Sequence, residues 1–344
     1  MDEIKKTMKI VDKLKEYFKH YKLLAIPIVV NSLTICLKLN EDEAPNSNLI
    51  ITRKGLGKSS ILRCLAKSNP KWFIELPDKI HESEIIKNFR QDNFERKVWV
   101  LDDLVVSFRG LNKKQREQLE GFLISILSKG KYERLGVRKI ENAKISCMFG
   151  FAQENYSKYS KELFTSTLLD RIVPVSYNFS ADEIKEIIEF KVKAKREKKE
   201  LPEVKLPFTD EDVEIEIPEE FDKEIVELAM RLQLLCGLTA TRGLNYIQNF
   251  LKANALINDR SEVDEADIRL FKLILPIHGE PKDTLENQIR RIILEVCEEK
   301  GEISSREIKE RVNASESTIK KALEEIKRDI PYRRSKDGYV FYFI

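Results

Sequence analysis

From Asn48 to about Ser180, short apolar runs alternate with amphipathic stretches, the pattern of strands interleaved with helices. Residues 49–51 predict a first strand, followed by a glycine-containing loop and a helix over 59–66. Residues 72–76, 98–101, 144–151 and 172–175 predict four more strands, with a helix over 114–128. Alternation of this kind predicts an α/β fold in which a parallel five-stranded sheet is covered by helices. After Ser180 the strands stop. Helices are predicted over 181–196, 220–236, 241–258 and 265–275, with a charged, proline-containing segment up to Pro218.

Residues 1–48 read as a lysine-rich amphipathic helix, an apolar stretch and a turn-like run over 40–47. At the other end, Gly279-Glu280-Pro281 reads as a linker into a small unit. There, helices over 284–299, 304–312 and 315–328 precede two strands around a Lys336-Asp337-Gly338 turn, with Ser305 and Ser315 as helix caps. The expected division is 1–48, 49–180, 181–283 and 284–344.

Composition sharpens this picture. Hydrophobic residues at 42% suffice for packed cores. Net charge is only +3, so contact with nucleic acid requires local basic patches. The five cysteines and three histidines are scattered without metal-ligand spacing, which suits free thiols in a reducing cytoplasm. No apolar run reaches the ~18 residues a membrane span needs, so a cytoplasmic protein without a membrane partner is expected.

The chemistry concentrates at the first strand's end. Thr52-Arg53-Lys54-Gly55-Leu56-Gly57-Lys58-Ser59 matches a phosphate-binding loop in all but its first position, where Thr52 replaces glycine. Gly55 and Gly57 permit the tight approach, Lys58 suits β/γ-phosphate oxygens, and the Ser59 hydroxyl suits magnesium, with Ser60 beside it at the helix start. Asp102-Asp103 ends the third strand. In P-loop ATPases the first acid holds Mg2+ and the second, usually Glu, polarises the attacking water.

With these motifs in order, residues 45–280 resemble the AAA+ ATPases. The resemblance implies ATP and Mg2+ as cofactors and a homo-oligomeric ring, a hexamer. Thr165–Ile172 resembles the segment carrying an arginine finger, which implies that Arg171 serves a neighbouring subunit's nucleotide. Thr239–Gly243 resembles the sensor-2 segment of a helical lid, with Arg242 facing the γ-phosphate. At the usual sensor-1 position stands Ala152, so Gln153 or Asn155 would substitute. Thr52, Asp103 and Ala152 together imply slow or regulated hydrolysis.

Residues 129–140 resemble the pore hairpin of MCM-type helicases, which would turn Lys129, Lys131, Arg134, Arg138 and Lys139 to nucleic-acid phosphates. The C-terminal unit resembles a winged helix-turn-helix. Its third helix would contact DNA through Ser315, Ser317, Thr318 and Lys321, and its wing through Arg333, Arg334 and Lys336. The expected function is a DNA-associated ATPase: a replication initiator, helicase or loader, compatible with an archaeal or mobile-element variant. A protein-remodelling ATPase acting on a client, and a nucleotide-controlled DNA-binding switch with little turnover, are the alternatives.

Overall fold

Five strands form one parallel sheet in the order β2-β3-β4-β1-β5: β1 (Asn48–Thr52), β2 (Phe73–Glu75), β3 (Lys97–Leu101), β4 (Ile145–Ala152) and β5 (Val173–Ser176). The computed structural model describes residues 2–18, 21–40, 43–78, 80–133, 139–156, 166–279, 281, 284–328, 330–336 and 338–342. β1 and β4 are buried at every position because both sheet faces are covered. Alternate side chains sort between two cores. Leu49 and Ile51 join Trp99, Phe149 and Phe122 in one, while Ile50, Val98 and Met148 join the other.

The N-terminal residues are part of the body. Helix α1 (Lys5–Phe18) is amphipathic as expected, but the apolar stretch forms a second helix, α2 (Lys22–Ser32), all eleven residues of which are buried. A helix apolar on every side shows no period, and Pro27 within it masks it further. Around the sheet run α3 (Lys58–Ser68), α4 (Glu82–Asn88), α5 (Leu104–Arg109), α6 (Lys113–Lys129) and α7 (Ser166–Leu169). The helical unit follows with α8 (Ala181–Arg196), α9 (Asp222–Cys236), α10 (Ala240–Ile257) and α11 (Glu265–Ile274). Between α8 and α9 the charged segment clasps the sheet domain: Asn69 Nδ2 donates to the Val204 carbonyl and Lys71 pairs with Asp210.

A buried polar network joins α2, β1 and α10. Asn31 Nδ2 donates to Asn48 Oδ1 and to the Tyr246 hydroxyl, both at 2.8 Å. Asn46 Nδ2 donates to Asn31 Oδ1 (2.9 Å) and to the Tyr246 carbonyl (2.7 Å), and Asn48 Nδ2 donates to the Tyr246 hydroxyl (2.7 Å). That hydroxyl also meets His278 Nε2 at 3.2 Å.

The C-terminal unit contains α12 (Leu285–Lys300), α13 (Ser305–Arg311) and α14 (Glu316–Ile326). Its antiparallel sheet has three strands in the order β6-β8-β7: β6 (Glu302–Ser304), β7 (Tyr332–Ser335) and β8 (Gly338–Tyr342). One more strand is therefore present than the two expected. Ser304, not Ser305, caps α13; Ser305 is buried and exchanges hydrogen bonds with the Tyr339 backbone. Ser315 caps α14 as expected. Among the described residues, no helix is long and apolar enough to cross a membrane.

Candidate functional site

The loop between β1 and α3 leaves the C-terminal edge of the parallel sheet. Gly55 and Gly57 both have positive φ (76° and 111°), a conformation that L side chains rarely adopt, and Gly57 is the N-cap of α3. The backbone therefore turns sharply onto a helix N-terminus, where N–H groups and the dipole favour an anion. Lys58, Ser59 and Ser60 form the first turn of α3. Thr52, at the position usually taken by glycine, is fully buried as the last residue of β1.

Lys58 reaches the end of β3. Its Nζ donates to the Asp102 carbonyl at 2.5 Å, although β4 lies between β1 and β3. Gly150 on β4 makes this possible: a Cβ there would collide with that carbonyl and with Lys58 Nζ. Burial lowers the Lys58 pKa, while the charges of Asp103, Asp102 and Glu154 oppose the shift. The Asp102 carboxylate pairs with Arg63 Nη2 on α3 at 2.5 Å. Asp103 instead caps α5, its Oδ1 accepting from the Val105 N–H at 3.0 Å.

Ala152 stands beside Thr52 in the β1–β4 register. Of the residues after it, Gln153 has a buried Oε1 with no hydrogen-bond partner among the described residues. Glu154 crosses to the loop, its two carboxylate oxygens 3.2 and 3.3 Å from the Lys54 backbone nitrogen. On the other side, Lys191 of α8 donates to the Gly55 carbonyl, and burial lowers its pKa. Arg63, Glu154 and Lys191 were not singled out in the sequence, where nothing distinguishes them from other surface charges.

Next to the loop lies a cavity of about 490 Å³, lined by Tyr17, Tyr21, Leu56, Ser60, Phe190 and Lys191 among others. Tyr17 packs edge-on to Phe190 at 5.5 Å, and the Lys199 ammonium lies 5.3 Å from the Phe190 ring. A lining that combines aromatic rings with lysines suits a flat, negatively charged ligand. A larger cavity of about 620 Å³, at the junction with α12, is lined by no residue of the β1–α3 loop.

Arg171 and Arg242 sit together elsewhere. Arg171 lies two residues before β5, whose first residue, Val173, registers with Asn48 at the opposite end of β1 from the loop. Its Nε donates to Ser128 Oγ and its Nη1 to the Thr167 carbonyl. Arg242 lies 3.7 Å from Asp170, which also accepts the Thr239 N–H. Burial and the neighbouring Arg242 charge lower the Arg171 pKa. The two arginines thus form one group at the far end of the five-residue strand, roughly 15 Å along it from the β1–α3 loop.

The basic candidates are dispersed. In the segment after α6, Tyr132 and Ile140 exchange backbone hydrogen bonds as an antiparallel bridge. Lys129 and Lys131 are exposed there, Lys139 pairs with Glu141 at 2.7 Å, and Arg134 and Arg138 lie outside the described residues. On α14, Ser317, Thr318 and Lys321 are exposed while Ile319, Ala322, Leu323 and Ile326 are buried. Arg333 pairs with Glu302 at 2.7 Å, and Arg334 and Lys336 are exposed. Scanned against models of protein families and searched against curated proteins, the chain matches neither.

Proposed function

We propose that this protein is an ATPase of the AAA+ type that binds Mg-ATP between copies of itself and acts on DNA. The observation that carries the reading is the meeting of Lys58 with the end of β3 across Gly150. It brings a glycine-turned phosphate loop and an acidic pair to one edge of a parallel sheet. The donor set fits the ligand. Loop N–H groups and Lys58 would hold phosphates, while Ser59 and Asp102 would ligate magnesium; P-loop proteins complete that shell with phosphate oxygens and water. ATP bound there would give a γ-phosphate activated by charge neutralisation. Gln153, whose Oε1 has no partner among the described residues, is the candidate for positioning the attacking water.

Placement of Arg171 and Arg242 supports an assembly. Standing at the far end of β1 from their own loop, both would serve the phosphates of a neighbouring copy. Exposed apolar residues on the helical lid, Val226, Met230 and Leu234 at one-turn spacing on α9, give such a copy something to cover, with Leu234 87% exposed. The C-terminal unit reads as a winged helix. The exposed polar face of α14 suits the major groove, and Arg334 and Lys336 suit phosphates.

The test is ATP turnover with and without single- and double-stranded DNA, run beside Lys58→Ala and Arg171→Ala. We expect DNA-stimulated turnover and loss in both variants. Mixing them should partly restore it, because an intact loop then meets an intact arginine. No restoration on mixing, together with full activity of Arg171→Ala, would refute the shared site. Stimulation by a client protein without any DNA effect would favour the remodelling ATPase.

A further inference from the structure

Two charged contacts at the phosphate loop pair each half of the proposed ligand site with a residue of the ligand's own sign. The Glu154 carboxylate, an anion, accepts the Lys54 N–H of the loop at 3.2–3.3 Å. The Arg63 guanidinium, a cation, pairs with the Asp102 carboxylate at 2.5 Å. A phosphate group and a magnesium ion would compete for these same two partners. We propose that Glu154 and Arg63 are built-in competitors of phosphate and Mg2+, so that nucleotide is admitted only by exchanging both contacts. This rests on the reading of the loop as a phosphate site.

The two contacts have the properties that exchange requires. Glu154 is exposed, and both of its approaches to Lys54 are longer than a charged hydrogen bond prefers. The Arg63 side chain is 55% exposed against 22% for Asp102, so solvent screens their attraction. Each contact is therefore strong enough to bias the site and too weak to block it. The Glu154 charge also acts on Lys58, the residue that phosphate needs most. Pairing also connects the two exchanges, because Lys58 holds the carbonyl of the same Asp102 whose carboxylate Arg63 holds.

Pyrophosphate titration of the 344-residue chain tests this, using wild type, Glu154→Gln, Glu154→Asp and Arg63→Gln, first without metal and then across a Mg2+ series. Circular dichroism checks that the variants, altered at exposed positions, keep the fold. Without metal, Glu154→Gln should bind pyrophosphate about three- to tenfold more tightly. Glu154→Asp, which keeps the charge but shortens the reach, should also gain. With pyrophosphate present, Arg63→Gln should reach half-saturation at about two- to threefold lower Mg2+. Wild-type affinity in both Glu154 variants, or a gain in the Gln variant alone, would overturn the competing contact while leaving the loop reading intact. An unchanged Mg2+ requirement in Arg63→Gln would overturn the metal half. If none of the four proteins binds pyrophosphate, the phosphate-site reading falls and this inference falls with it.

Discussion

The two ends of strand β1 are built on opposite rules. At Asn48 the polar groups of Asn31, Asn46, Tyr246 and His278 are shut away from water and hydrogen-bonded to one another. Five residues on, beyond Thr52, the polar groups are charged and partly solvated: Lys54 with Glu154, Asp102 with Arg63, Lys191 with Gly55. Burial makes the difference. A buried polar group that loses its partner bears the whole desolvation cost, so the Asn48 end is fixed and ties the helical unit to the sheet. Solvated ion pairs are worth about 0–1 kcal/mol, so the contacts at the loop end cost little to exchange. One strand thus has an anchored end and an exchangeable end.

Single substitutions at the two ends should differ most. Asn48→Ala removes bonds to Asn31, Tyr246 and the Val173 carbonyl at once. It should cost about 3–5 kcal/mol in urea denaturation, against less than about 1 kcal/mol for Arg63→Gln. Comparable losses at both ends would erase the contrast.

A smaller effect comes from pH. Burial pushes the His278 pKa from 6.5 down to about 4, and its two ring nitrogens meet the Tyr246 hydroxyl and the Ile274 carbonyl. Because the folded value is the lower one, the unfolded chain takes up the proton first as pH falls. His278 therefore contributes fully above about pH 6.5, and the contribution is lost toward pH 4, about 3 kcal/mol in all. Denaturation midpoints between pH 7 and 4 should fall more steeply in wild type than in His278→Gln. Parallel slopes would mean that His278 is not held neutral.

Much of the loop end was legible in sequence because its spacing is local. Thr52 to Ser59 lies between an apolar run and a helix, Asp102-Asp103 directly follows another apolar run, and all five strands lie within a residue or two of their expected bounds. The anchored end was not legible. Asn31, Asn46 and Tyr246 are brought together over 15 to 215 positions, and nothing local marks an asparagine as a network member. The same holds for Glu154, which meets Lys54 across 100 residues. Helices α4 and α5, with seven and six residues, are too short to show a period. Asp103 was legible as a carboxylate but not as the cap of α5, since α5 itself was unread.

The central claim is that the exchangeable end is a nucleotide site, and calorimetric titration of Mg-ATP into wild type and Lys58→Ala tests it most directly. The account predicts saturable binding to wild type and an affinity at least about tenfold weaker in Lys58→Ala, with the fold unchanged. Absence of binding to wild type, or equal affinity in the two proteins, would contradict it.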